Sequence, residues 1–485
     1  VAKYHPDGSN ERSYEKERLF LNTSERGNGP LDLRDRNTMA DPSDALLDDE
    51  RKPLKSSSGL PVKYNVTIDD RPSSSKDWDW AKSEGICSGS GSQASPYVIE
   101  NIQFVTTGDY KDCLTIRDSI GKYFEVRNCT FVGSGDYNSI FYLWNVTHGK
   151  VIDNELYRTA INNPYEGLYM RKCNKTLIRG NIIRDSEQGI RMSLCNNNTL
   201  RFNEILKNEE KAIDMFQCVD NLITGNIVHK NSDDGIHVSD CSNNVITGNN
   251  VKENNDDGIY MYDCLNNTIN ENKFNANKIS LYRCRNNTIS RNSLNNGYYS
   301  IVLSYNCQFN EISKNNIYNN TYGISLQGCP NNTISDNIID LNYYGITLDE
   351  YVGYSGPDEE ITYLSTLNSI YGNSITHSQY YGMSISSCPN NDISDNSVSY
   401  NQYGIKTWNS NHNIIRNNVL NNNSYGIFLW SNAEIIKKNA FRSGGIYLGG
   451  TIAQDSSHSI SETNTLNGKS ITYMVGKDDL PSKSF

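Results

Sequence analysis

The sequence predicts an all-β solenoid, a single chain wound into a parallel β-helix of coils about 22 residues long. Three observations carry this prediction. First, Asn181, Asn203, Asn226, Asn249, Asn272, Asn292, Asn315 and Asn337 recur at steps of 22, 23, 23, 23, 20, 23 and 22, and Asn373, Asn396, Asn417 and Asn439 continue the column. Second, these asparagines lie in phrases such as "NNTISDNII", which alternate with strands of the type "YGISL", so short strands are separated by Asn/Gly turns. Third, hydrophobic residues make up only 36% of the 485. That suits a narrow core lined by one or two inward side chains per strand. A leucine-rich repeat would need its Leu signature, which the chain lacks.

Along the chain, residues 1–60 are polar and mixed in charge ("ERSYEKERLF", "LLDDERKPLKSSSG") and predict a flexible leader. Residues 61–112 turn globular ("WDWAKSEGIC", "PYVIENIQF") and suit an N-terminal cap over the open end of the solenoid. Residues 113–450 carry the coils, and 451–485 form a C-terminal cap or tail. Between Asn337 and Asn373 the step widens to 36. The excess, "DEYVGYSGPDEEITYLSTL" at 349–367, predicts a loop on one face that either walls a groove or decorates the surface.

Stacked coils lie about 4.8 Å apart. Asn tolerates the left-handed backbone of a sharp turn, and its amide can bond the asparagines above and below. Cys173, Cys195, Cys218, Cys241, Cys264, Cys284, Cys307 and Cys329 keep the same step. A disulfide needs about 3.8 Å between Cβ atoms, less than a coil rise, so the column reads as buried thiols. A metal would need converging ligands, which a straight column lacks. Cys87, Cys113 and Cys129, near the cap, are the better disulfide candidates. The sequons at Asn266, Asn286, Asn331 and Asn422 fall on the repeats and read as ladder positions.

A net charge of −11 argues against nucleic acid as a partner. No run of 18 apolar residues predicts a membrane span.

The phrases "NNTISDNIIDLNYYGITL", "PNNDISDNSVSYNQYGIKT" and "NHNIIRNNVLNNNSYGIFL" resemble the right-handed parallel β-helix repeats of carbohydrate-binding and sugar-hydrolase proteins, in particular the NosD-like group. "SGSGSQASPYVIENIQF" and "TNTLNGKSITYMVGKDDL" are similar to its capping segments. The resemblance covers about residues 61–475. It implies a right-handed helix and a secreted or cell-surface setting. NosD itself serves copper delivery, a role for which this chain shows no Met- or His-rich tract.

In each "G-I-x-V/L" strand the Ile and Val alternate inward, so x faces outward. Down the coils x reads Tyr169, Arg191, Asp214, His237, Tyr260, Ser280, Val302, Ser325 and Thr347. Two residues along lie Arg171, Ser193, Phe216, Ser239 and Tyr262, and on the other side Glu166, Gln188, Lys211, Asp234 and Asp257. Such a face suits an acidic polysaccharide. Tyr169, Phe216 and Tyr262 would stack on sugar rings, while Arg171 and Lys211 bind carboxylates. Arg191 or Lys211 would neutralise a uronate, His237 abstract its α-proton and Tyr260 carry the second proton, giving lyase or epimerase chemistry. Hydrolysis through Asp214 with Asp234 or Asp257 is a second route. The repeated "DDG" places Asp233, Asp234, Asp256 and Asp257 together, either as turn residues or as a Ca²⁺ site. The other class of function is a non-catalytic surface or adhesive protein, in which the β-helix is a rigid spacer that assembles at the surface or with itself. An accessory role in metal-cofactor maturation is a further alternative.

Overall fold

The computed structural model describes residues 59–474 apart from 109, 135–138, 160–164 and 357–358. The predicted 1–60 leader therefore lies outside the described residues except at its last two positions.

The chain is a right-handed parallel β-helix. Three strands per coil stack into three long sheets, two of 16 strands and one of 18. One coil shows the plan: Ile236–Ser239 in sheet 1, Val245–Thr247 in sheet 2 and Asn250–Lys252 in sheet 3. The next coil pairs with it in parallel, Ile236 opposite Ile259 and Val238 opposite Met261. Sheet 1 strands turn two side chains inward and the others one, so Ile236, Val238, Ile246 and Val251 are all fully buried. These columns of Ile, Leu and Val are the core. Among the described residues, no helix is long and apolar enough to cross a membrane.

Pairing starts early. Val62–Tyr64 lies against Gln103–Val105, and Val66–Asp69 against Leu114–Arg117. The short helix Trp78–Ser83 covers this end of the core, with Asp77 accepting from the Trp80 N–H as its N-cap. Trp78 is buried, stacks on Tyr97 at 4.5 Å and donates its indole N–H to Ser119 Oγ.

The corners explain the repeat. Asn226 donates its backbone N–H and its Nδ2 to Asn249 Oδ1, both at 2.9 Å, and Nδ2 also bonds Leu200 O at 3.0 Å. One amide therefore serves three polar groups that the narrow core would otherwise leave unpaired. The left-handed residue is its predecessor: Gly225 (φ 64°), Gly248 (φ 65°), Glu271 (φ 56°). The predicted role of the ladder asparagines in the left-handed turn is thus corrected. Asn417 (φ 56°) is one of these predecessors, and Asn418 is the ladder member, bonded to Asn396 and Asn439. The sequon residues Asn266, Asn286, Asn331 and Asn422 are also left-handed corner residues, not ladder members. Two further ladders run through Asn198, Asn221 and Asn244, and through Asn208, Asn231 and Asn254.

All twelve cysteines are free and buried, including Cys87, Cys113 and Cys129, so the disulfides expected near the cap are absent. In the column Cys195, Cys241, Cys284 and Cys307 each accept from the N–H of the cysteine one coil before, as Cys241 Sγ does from Cys218 N at 3.2 Å, and the thiols donate to strand carbonyls. Burial pushes the Cys113 thiol up to about 12, so it stays protonated. Beyond Cys329 Ser alternates with the thiol: Ser365 Oγ accepts from Cys329 N, and Ser410 Oγ from Cys388 N.

At the C-terminal end the ladder changes chemistry. Asn413 Nδ2 and Ser431 Oγ donate to Glu434 Oε1 at 3.2 and 2.8 Å, and the Glu434 N–H donates to His458 Nδ1. Glu434 is fully buried, and burial pushes its carboxyl up to about 8.

The 349–367 insertion is an antiparallel hairpin, Tyr351–Gly356 with Glu359–Tyr363. It folds back over earlier coils, placing Tyr351 and Tyr363 5.3 and 5.0 Å from the Tyr305 ring. Gly328 (φ 64°) permits this, because a Cβ there would come within 2.6 Å of Tyr351 Cβ and 2.7 Å of Tyr363 Cβ.

Candidate functional site

Strand register stacks the predicted column without a gap: Tyr169 opposite Arg191, then Asp214, His237, Tyr260 and Ser280. Parallel in-register pairing places each side chain one coil rise from the next. The flanking column arises at the corner before each strand. Gly189 N bonds Lys211 O, Ala212 N bonds Asp234 O and Gly235 N bonds Asp257 O, so Lys211, Asp234 and Asp257 also stack. The column is not simply solvated, since Asp214, Asp234 and Asp257 are all buried.

The centre is an imidazole–carboxylate contact. His237 Nδ1 lies 2.9 Å from Asp234 Oδ2, and Asp234 Oδ1 accepts the Asp257 N–H at 3.0 Å. Burial, then Asp233 and Asp256, push the Asp234 carboxyl up. Burial, then the Lys211 cation, push the His237 imidazole down. Both shifts disfavour charge, so the pair exchanges one proton within the neutral range. When that proton leaves, Asp234 holds Nδ1–H and the other ring nitrogen, Nε2, keeps a free lone pair. The His237 ring lies 5.1 Å from that of Tyr260, whose hydroxyl is pushed up by burial and then by Asp257 and Asp234, and so remains a proton donor.

Cations flank this centre. Arg191 Nη1 binds Glu166 at 2.9 Å and its Nε lies 3.7 Å from Asp214, while Lys211 Nζ is 3.9 Å from Asp214. Glu166 is held in turn by Ser139 Oγ at 3.0 Å. Arg191 also lies over the Tyr169 ring, which stacks on Tyr142 at 4.9 Å. The Arg191 side chain keeps 41% of its surface exposed, although its Nε is buried. On the outer column Phe216 is 39% exposed, Arg171 is exposed, and Tyr262 stacks on Tyr282 at 5.6 Å.

The structure brings together all the predicted residues on one face, and adds some. Lys278 binds Asp257 at 2.7 Å, and it sits where the two preceding coils carry Asp. Its signal was the phrase "NANKISLY", one coil after "NNDDGIYMY" but three residues shorter. Tyr142, Ser139 and Asp112 extend the face toward the N-terminus. Asp112 is half-buried, and desolvation pushes its carboxyl up to about 6, with Thr115 Oγ1 donating to it at 2.6 Å. Beyond Thr347 and Ser384 the column reaches Lys406.

Of the four aspartates considered for calcium, Asp233, Asp234 and Asp256 offer oxygens within 4.8 Å of one another. The donor set fits Ca²⁺ poorly. Both Asp234 oxygens are engaged, Asp257 is bound by Lys278, and Ca²⁺ takes six to eight oxygens.

The family model described as "Periplasmic copper-binding protein (NosD)" matches residues 123–301 and 279–476, together most of the chain. The chain belongs to the NosD family. The soft ligands that copper favours are withdrawn from the surface of this NosD-family solenoid. All twelve thiols are buried, and among the described residues every methionine is buried except Met474 near the C-terminal end. No curated protein matches the chain significantly. Solved structures similar to it include the mannuronan C-5 epimerase AlgE4 A-module of Azotobacter vinelandii, 14% identical, with a TM-score of 0.42, covering 77% of this chain and 99% of that one. Another is the periplasmic alginate epimerase AlgG, 13% identical, TM-score 0.31, covering 84% and 85%. A third is a mutant DFA-IIIase from Arthrobacter chlorophenolicus A6, 10% identical, TM-score 0.36, covering 65% and 95%.

Proposed function

We propose that this chain is a carbohydrate-active protein of the periplasm or cell exterior. It binds an acidic polysaccharide along sheet 1 and removes the proton next to a uronate carboxylate. The observation that supports this best is the 2.9 Å contact of His237 with the buried Asp234, between the rungs of Asp214 and Tyr260. A base for this step needs a free nitrogen at working pH and a fixed tautomer, and this contact provides both. Lys211 and Arg191 lie one and two rungs away from His237 to offset the charge that develops on the carboxylate. The proton passes from the sugar carbon to His237 Nε2, and the electron pair enters the carboxylate. Delivery of a proton from Tyr260 to the opposite face of the carbon then gives the epimer. Delivery to the departing glycosidic oxygen instead gives chain cleavage with an unsaturated end.

The test is proton NMR of the protein incubated with a panel of uronate-containing and neutral polysaccharides, beside a His237→Gln variant. Epimerised or unsaturated sugar, lost in the variant, is the expected result. Unchanged spectra across the panel would make the face a binding or spacer surface. The family match favours a second reading, an accessory role in metal-cofactor maturation. It predicts copper binding by the intact protein in dialysis, with no change in any polysaccharide.

A further inference from the structure

A second feature lies one coil beyond the proposed site and rests on that reading for the class of its ligand. Between the hairpin and the coils it covers is a cavity of about 430 Å³, lined by Asp263, Arg283, Arg285, Tyr305, Asn306 and Tyr363. Its floor continues the outer column of the face, as Tyr262, Tyr282 and Tyr305 stack at 5.6 and 4.8 Å with nearly parallel rings. Its wall is the hairpin, through Tyr363 at 5.0 Å from Tyr305.

The charge in this cavity is unbalanced. Arg283 binds Asp263 at 2.8 Å and donates to Tyr262 Oη at 3.2 Å, which fixes its plane. Arg285 is exposed and pairs with no carboxylate among the described residues. Two guanidinium groups thus meet one carboxylate in a protein whose net charge is −11. A guanidinium fork beside tyrosine hydroxyls matches the two coplanar oxygens of an acidic group.

We propose that this cavity is a subsite for the anionic substituent, carboxylate or sulfate ester, of the sugar unit next to the one at His237 and Tyr260. Arg285 supplies the charge, Arg283 the orientation, and the hairpin stops the chain there. The geometry agrees in scale, for Tyr262 shares its strand with Tyr260 and Arg283 follows in the next coil, about 5–10 Å away.

Calorimetric titration of the whole protein and of Arg285→Ala and Arg285→Glu tests this. The probes are a hexauronate, its fully methyl-esterified form and a sulfated neutral hexasaccharide. Arg285→Ala should weaken hexauronate or sulfated-sugar binding about ten- to hundred-fold, Arg285→Glu more, with the ester bound weakly by all three. Whichever acidic probe shows the loss identifies the anion. Equal affinity of the three proteins for both acidic probes, or equal binding of acid and ester, overturns the proposal. Where uronate is converted but binding ignores Arg285, only the subsite fails. Where binding depends on Arg285 but nothing is converted, the subsite stands and the proton-transfer reading fails.

Discussion

Glu434→Gln isolates one buried proton. Glu434 stands where an asparagine belongs, and as a neutral acid it imitates one, accepting from Asn413 and Ser431 through Oε1. Burial raises its carboxyl from 4.5 to about 8, a difference of roughly 3.5 pH units. Each unit corresponds to about 1.4 kcal/mol, so ionising the group in the fold costs up to about 5 kcal/mol. The sign follows from the raised value. The contribution is complete below pH 4.5, falls as pH rises, and is gone above about 8. Gln keeps the acceptor and cannot ionise. The two proteins should therefore be equally stable at pH 4 and diverge steadily, with the variant more stable at pH 9. In a solenoid the loss appears as opening of the last coils, not as global unfolding. Hydrogen exchange of peptides covering 413–466 at pH 5, 7 and 9, beside thermal melts, measures it. Equal pH slopes in both proteins, or a variant less stable at pH 9, would refute the argument.

Other expectations concern the site and its frame. His237→Gln should lower uronate conversion at least about 100-fold, the usual worth of a general base, while leaving the melting temperature within a few degrees. Conversion by the native protein, followed by NMR, should rise with pH across the neutral range as the Asp234–His237 pair loses its proton. Asp234→Asn should remove that rise together with most of the activity. Gly328→Ala should lift the hairpin off Tyr305, since the added carbon meets Tyr351 and Tyr363 Cβ atoms below 3 Å. Faster proteolysis of the 351–363 segment with unchanged coils would show it. Asn249→Ala leaves the Asn226 N–H and amide without their acceptor, and should destabilise the fold by about 2–4 kcal/mol in a melt.

The fold was legible because one step of about 22 residues governs Asn, Cys and the hydrophobic alternation together. Sheet 1's outward column could be written down in advance, since a strict period of two leaves no freedom once the inward Ile and Val are chosen. Pairs such as Asn417–Asn418 defeated the reading, because adjacent asparagines suit both the left-handed corner and the ladder. The hydrophobic phase resolves them, for a ladder residue precedes the inward side chain by two, as Asn418 precedes Leu420. Asp234 was named from spacing alone, but its link to His237 depends on a corner turning a side chain back over its own strand. Lys278 escaped because its coil is three residues short, and the cavity because nothing in 349–367 says that the hairpin folds backward.

The sameness of the rungs poses a threading problem. An asparagine corner would bond any other asparagine corner, so the ladders hold coils together without recording which coil is which. That information resides in the exceptions. Arg283 finds Asp263 in only one neighbouring coil, Lys278 finds Asp257, and Arg416 finds Asp392. A coil added out of turn would leave the buried Asp257 without Lys278, a larger loss than that of the half-exposed Arg283–Asp263 and Arg416–Asp392 pairs. The irregular coils act as serial numbers for the stack.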